Sequence, residues 1–182
     1  MKEHFLKLNK EWKLYLDSSA EQMQTDIRNI LTDQIVKYKQ GKSRQDIVAL
    51  YFEYEYDYMN ILFWAKDKSE ELVAELIVLP TIKRNNADEN SNWEHFLPEN
   101  IWRNVLGTED IYEGEDYDEI RREYENVKTT LFKEWFLTCW NTITKDMENV
   151  PDAYFSIHDT YFLTDLKTGK KINSDEISER YK

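Results

Sequence analysis

The sequence predicts one α+β domain, spanning residues 1–182, in which helices cover a largely antiparallel sheet. Apolar residues alternate along residues 47–79, as in strands, and they recur at helical spacing before and after that stretch. A chain of 182 residues is long enough for one domain with a sizeable core and short for two. With 41% hydrophobic residues, four Gly and three Pro, the composition is typical of a packed domain.

Residues 47–79 predict three strands joined as a meander. The first has one apolar face, made of Val48, Leu50, Phe52 and Tyr54. The second, residues 58–65, is apolar on both faces, which favours a central strand covered on both sides. Residues 72–79 also fit a helix, but we prefer a strand because Ile77, Val78 and Leu79 are β-prone and precede a proline. Turns are expected at 55–57 and 67–70.

Helices are predicted before and after the meander along the chain. Residues 2–16 predict an amphipathic helix, and Ser18 or Ser19 can cap a second helix that runs to about Lys39, with Gly41 as its stop. After an exposed loop at 81–92, a short helix is expected at 98–106. A long helix is expected over 117–147, and its apolar second half should lie across the sheet.

The C-terminal part predicts further strands that extend the sheet. Residues 154–157 and 161–163 predict two short strands with a turn at 158–160. A second turn is expected at 167–170. Ser174 is the expected cap of a last helix over 175–181.

Composition and patterning favour a cytoplasmic protein without a membrane span. No apolar run approaches the roughly 20 residues that a membrane helix needs. The N-terminal apolar residues are interrupted by Glu and Lys, which argues against a signal peptide. Cys139 is the only cysteine, so no intrachain disulfide can form, as expected in a reducing compartment.

The net charge of −12, with a pI near 4.8, predicts a basic protein partner rather than direct binding to nucleic acid. A negative field repels phosphate backbones and attracts cationic surfaces. The alternative is that the charge only prevents self-association.

The acid is concentrated in residues 109–125, where nine carboxylates face only Arg121 and Arg122, which gives this segment −7 of the net −12. Tyrosines are interleaved with these acids, and rigid aromatics beside carboxylates are typical of protein interfaces. The predicted partner-binding residues are Tyr112, Glu113, Glu115, Asp116, Tyr117, Asp118 and, after the exposed loop, Trp93. The alternative is a solvated stretch whose acids favour the start of the following helix.

Candidates for catalysis have structural alternatives. Glu53 and Glu55 share a strand face, as paired catalytic carboxylates would, or they form the wet face of an edge strand. Cys139, His158 and Asp159 could supply nucleophilic chemistry, but Cys139 lies in the most apolar stretch, where a thiol stays protonated, and His158 fits a turn. The chain has no Gly-rich phosphate loop, and neither a metal nor a cofactor is expected.

Three stretches carry a family resemblance: VALYFEYEYDYMNILFWAKD, LFKEWFLTCWNTI and FSIHDTYFLTDLKTGKKI. In the order of its elements the chain resembles the small acidic α+β immunity proteins of bacterial polymorphic toxin systems, of the SMI1/KNR4 and DUF4303 types. The resemblance implies a cytoplasmic protein that neutralises a cognate toxin by occlusion, and it transfers no functional residue. Two alternatives stay open: a small hydrolase that uses carboxylates such as Glu53 and Glu55, and a phage-type inhibitor that mimics nucleic-acid charge.

Overall fold

The computed structural model describes residues 2–55, 59–81 and 116–182. In this part the chain forms three α-helices, which are α1 (Lys2–Leu31), α2 (Tyr117–Thr144) and α3 (Ser174–Arg180), and a short 3-10 helix at Arg44–Asp46. The strands are β1 (Ala49–Glu55), β2 (Asn60–Lys66), β3 (Ile77–Leu79), β4 (Asp152–Ile157), β5 (Phe162–Asp165) and β6 (Lys171–Asn173).

The strands form one open sheet in the order β3-β2-β1-β4-β5-β6. All neighbouring strands are antiparallel except β1 and β4, which are parallel, with Glu53 opposite Ser156. Parallel strands need a long crossover, and α2 lies on the connection that leads into β4. The predicted α+β class and the mostly antiparallel sheet, extended by C-terminal strands, are confirmed.

The two long helices pack on one side of the sheet and build the main core. Tyr54 of β1 stacks on Phe132 of α2 with 3.8 Å between ring centroids, and Phe52 lies 5.2 Å from Phe136. On its other side α2 contacts α1, where Trp12 stacks on Phe132. This position between helix and sheet explains the wide apolar surface of the second half of α2, and it confirms that this half lies across the sheet. The half is not buried on every side, since Glu134, Thr138 and Asn141 are exposed.

The predicted break between two N-terminal helices is wrong, because α1 runs without interruption from Lys2 to Leu31. The hydroxyls of Ser18 and Ser19 donate to the carbonyls of Tyr15 and Leu16, at 2.8 and 3.0 Å, instead of capping a new helix. A serine within a helix can satisfy its hydroxyl in this way, so the capping-box pattern did not mark a boundary.

The predicted end of this helix at about Lys39 is also wrong. Asp33 adopts a left-handed conformation with φ of 65°, and the Gln34 amide donates to the Asn29 carbonyl at 2.7 Å. The Asp33 amide donates to Ile30 at 3.1 Å, which completes a Schellman motif. Because the left-handed residue is Asp instead of Gly, the sequence signal was missed, and Gly41 belongs to a later turn.

Four predictions about the meander need correction. β1 is an interior strand between β2 and β4, so Glu53 and Glu55 do not lie on an edge strand. The long helices cover only one face of β2. The third strand is restricted to Ile77–Leu79, while Leu72 and Ala74 form isolated bridges. Val48, expected on the face of Leu50, precedes β1 and packs instead with the cluster of Ala49 and Tyr154.

Two of the three C-terminal strands were predicted, with boundaries that differ by one or two residues from those of β4 and β5. The third, β6, was missed because its three residues carry too little alternation. The cap of α3 is Asn173 instead of Ser174. Its side-chain oxygen accepts from the Glu176 amide at 2.9 Å, while the Asn173 amide donates to the Glu176 carboxylate at 3.0 Å. The predicted loop beyond Thr81 and the helix at 98–106 lie outside the described residues.

Candidate functional site

The first turns of the two long helices lie side by side at one end of the molecule. The helices are parallel, because Phe5 stacks on Tyr124 and, further along both helices, Trp12 stacks on Phe132. The ring centroids are 4.8 Å and 6.1 Å apart. Lys2 forms an ion pair with Glu123 across the two helices, with 2.9 Å between Nζ and Oε2. Residues 116–119, which we call the acidic helix-pair end, therefore adjoin a surface that both helices form.

Asp116, Asp118 and Glu119 are exposed at this end and make no ion pair within residues 2–55, 59–81 and 116–182. The N-termini of two parallel helices each carry partial positive charge, which favours carboxylates at this position. The acids therefore stabilise the start of α2 while leaving negative charge on the surface. This arrangement is compatible both with a binding surface for a partner and with a solvated stretch that only favours the start of the helix.

Tyr117 differs from its acidic neighbours because its side chain is half-buried. It packs against a small cluster made of Phe5, Leu8 and Tyr124. Part of its ring therefore belongs to the fold, and only the remainder can contact a partner. The other predicted partner-binding residues, Tyr112, Glu113, Glu115 and Trp93, lie outside the described residues.

An apolar cleft lies between α1 and α2, next to the acidic helix-pair end. Leu6 is 58% exposed and Val127 is 40% exposed, and with Ile120 they line this cleft beside Lys2 and Glu123. Large apolar side chains exposed next to charged ones are common at protein interfaces. This cleft was not predicted from the sequence, although Leu6, an apolar residue off the buried stripe of α1, was an available signal.

The side of the sheet opposite the long helices, which we call the open face, brings Glu53 and His158 together. Glu53 Oε1 lies 2.8 Å from Nδ1 of His158, and the Ser156 hydroxyl donates to Oε2 at 3.5 Å. Register explains the contact, since β4 pairs with β1 and His158 directly follows β4. The hydrogen bond with Glu53 raises the pKa of His158, and this outweighs the opposing effect of burial.

This arrangement does not form an activated nucleophile. Ser156 donates to the carboxylate of Glu53 and not to the imidazole of His158, whereas a nucleophile and its base must share a hydrogen bond. His158 occupies a turn after β4, as predicted. Cys139 is 1% exposed, and burial raises the pKa of its thiol to about 12, so it stays protonated as predicted.

A chain of hydrogen bonds fixes the C-terminal helix on the open face. Arg180 donates to Asp165 at 2.8 Å and to the Tyr154 hydroxyl at 3.3 Å. The hydroxyls of Tyr154 and Tyr181 are 2.8 Å apart, and Tyr181 donates to Asp152 at 2.9 Å. These groups come from three separate elements, so no local pattern could predict their contact.

Comparisons with known proteins do not assign a family. No protein-family model, curated protein or solved structure matches the chain. In the described part of the chain, none of the helices has the length and apolarity to cross a membrane. Within the same residues, no group of three or more His, Cys, Asp or Glu side chains could hold a metal ion.

Proposed function

We propose that this chain is an acidic protein-binding domain, most concretely a cytoplasmic bacterial immunity protein that neutralises a basic cognate toxin by occluding it. The observation that carries the proposal is the group of exposed carboxylates at residues 116–119, which lie in the first turn of α2, while its next turns line the apolar cleft of Leu6 and Val127. Carboxylates steer a cationic partner towards the surface, and apolar side chains supply area that is buried on contact.

The two kinds of residue have separable roles in this proposal. Asp116 and Asp118 raise the association rate, and clustered charge of this kind contributes roughly ten- to a thousand-fold at low salt. Leu6, Val127 and the accessible part of Tyr117 determine how long the complex lasts, because buried apolar and aromatic contacts set the dissociation rate. The net charge of −12 extends the attraction over the whole molecule.

The test begins with capture of a partner from a lysate of the host organism. The wild-type chain and the variant Asp116→Lys/Asp118→Lys/Tyr117→Ala serve as matched baits. A captured protein supports the proposal when it arrests growth on expression alone and when co-expression of the wild-type chain, but not of the variant, restores growth.

Binding kinetics with the purified partner then separate the roles. Asp116→Lys/Asp118→Lys should slow association and flatten its salt dependence, whereas Leu6→Ser or Tyr117→Ala should mainly speed dissociation. The matched control is Asp146→Lys/Glu148→Lys, which makes the same change in charge at exposed positions just beyond the other end of α2. Unchanged kinetics for the triple variant would refute the proposed interface.

A second candidate is a small hydrolase that uses Glu53, and the contact between Glu53 and His158 favours it. A carboxylate that orients an imidazole is a common arrangement in acid–base catalysis. The purified chain would be assayed with ester, phosphoester and glycoside substrates, and a measured activity should fall strongly in Glu53→Gln. Activity that survives this substitution would eliminate the candidate.

A third candidate is a phage-type inhibitor that mimics the charge of nucleic acid, and the exposed carboxylates at residues 116–119 are the feature that favours it. In that case the captured partner is a nucleic-acid-binding protein, and a double-stranded oligonucleotide competes with the chain for it. A toxin captured without such competition supports the immunity proposal over this one.

A further inference from the structure

A groove runs between α2 and strands β4 to β6, away from the acidic helix-pair end. Its volume is about 380 Å³, and its walls include Lys133 of α2, Ile157 of β4, Phe162 of β5 and Lys171 of β6. A volume of this size lies within the range of roughly 300–1,000 Å³ that is typical of ligand-binding clefts. The groove is therefore large enough to take one or two side chains of a partner.

Two neighbouring aromatic residues are exposed along this groove. Tyr161 is 65% exposed and Phe162 is 51% exposed, and their rings meet edge to face with 5.0 Å between centroids. Isolated apolar residues on a surface need no explanation, but two adjacent aromatic rings beside a cleft are a common anchor for a partner.

The charge of this groove is opposite to that of the chain. Among the residues that the structure describes, its lining contains Lys133 and Lys171 and no carboxylate, although the whole chain has 36 acidic and 24 basic residues. Neither lysine forms an ion pair with another residue in the described part of the chain. One lysine belongs to the helix wall and the other to the edge strand, so two cations flank the exposed aromatic pair.

We infer that this groove binds an acidic peptide segment of a partner protein, with an aromatic or large aliphatic side chain flanked by carboxylates. The apolar side chain would pack on Tyr161, Phe162 and Ile157, and the carboxylates would pair with Lys133 and Lys171. Nucleic acid also combines negative charge with flat rings, but a long phosphate backbone would be repelled by the net charge of −12. A short acidic segment experiences mainly the two local lysines.

The experiment is a selection from a displayed library of random peptides on the immobilised full-length chain, with a parallel selection on Lys133→Glu/Lys171→Glu. Only the wild-type chain should enrich peptides with Asp or Glu next to Phe, Trp, Leu or Ile. The most enriched peptide, made with a fluorescent label, should bind the Lys133→Glu/Lys171→Glu variant at least about tenfold more weakly, because like charges would then face each other. Phe162→Ala should also weaken its binding.

The matched control is Lys167→Glu/Lys170→Glu, which changes charge equally in the adjacent turn and outside the groove. Binding to this control should stay within about twofold of the wild type, since exposed charges at a distance are screened. Three results would overturn the inference: equal enrichment on both baits, an equal loss in the control, or a single-stranded oligonucleotide that binds the groove more tightly than the best peptide. Thermal unfolding of each variant confirms that the fold is intact.

Discussion

The two faces of the sheet come from alternate residues of the same strands, but different interactions hold their partners. On the helix side, Phe52 and Tyr54 of β1 are completely buried against α2. On the open face, Tyr51 stacks on Trp64 with a 5.6 Å centroid distance and planes 2° apart. The helix side is stabilised mainly by burial of apolar area, and the open face by cross-strand pairs, which contribute less per residue.

The largest expected effect tests this contrast on neighbouring residues of β1. Phe52→Ala should lower the free energy of unfolding by about 3–5 kcal/mol, because it leaves a cavity under α2. Tyr51→Ala should lower this free energy by about 1–2 kcal/mol, because the Tyr51 side chain is only partly buried and the change removes one cross-strand pair. Urea denaturation of both variants measures the difference. Equal losses would mean that the open face is packed as tightly as the helix side.

Alternation along β1 made this division of faces predictable, and the apolar second half of α2 indicated which helix covers the sheet. For β2 it was not predictable, because both faces of that strand are apolar. The uninterrupted helix α1 was not predictable, because Ser18 and Ser19 carry the same local pattern in a cap and inside a helix. The contact of Glu53 with His158 spans 105 positions and depends on the parallel register of β1 and β4. The exposed carboxylates were found from charge, while the adjoining cleft required knowledge that α1 and α2 are parallel.

The pKa values of buried carboxylates are shifted in opposite directions on the helix side and on the open face of the sheet. Asp26 of α1 is 0% exposed and accepts from the Thr81 amide at 2.7 Å, from the Thr81 hydroxyl and from Gln22. Burial raises its pKa, and these neutral donors do not compensate. Asp165 on the open face is 3% exposed, but the Arg180 guanidinium and the amides of Lys167 and Thr168 overcome burial and lower its pKa.

We therefore expect the change to Asn to have unequal effects at the two positions. Asp165→Asn should cost roughly 1.5–3 kcal/mol at pH 7, because the new amide group would face the Arg180 guanidinium instead of accepting from it. Asp26→Asn should cost less, since its oxygen can accept from the Thr81 amide and its NH₂ can donate to the Thr81 hydroxyl. Urea denaturation at pH 7 compares the variants. A larger loss for Asp26→Asn would contradict this assignment.

The pH dependence of stability should differ in sign between these two carboxylates. For Asp26, whose pKa is raised, stability is greatest below the ordinary value of 3.8 and falls as pH rises through the pKa of the folded state. For Asp165, whose pKa is lowered, stability is present above 3.8 and is lost as pH falls further. Asp26→Asn should reduce the decline above pH 3.8, and Asp165→Asn should reduce the loss below it. A variant with the wild-type pH profile would show that its carboxylate does not contribute.

The smallest expected effect concerns the contact between Glu53 and His158 on the open face. Because Glu53 favours the charged imidazole, the pKa of His158 should lie above its ordinary value of 6.5. The pair should therefore add stability that is fully present below pH 6.5 and lost as pH rises through the folded-state pKa. Because both side chains are partly exposed, the effect on unfolding should be small, and an NMR titration of the imidazole protons is the suitable measurement. Glu53→Gln should move the midpoint downward, whereas Glu179→Gln, an exposed control in α3, should leave it unchanged. A wild-type midpoint at or below 6.5 would show that this contact does not hold the imidazolium in solution, and the open face would then be maintained by its aromatic pairs and the bonds of Arg180.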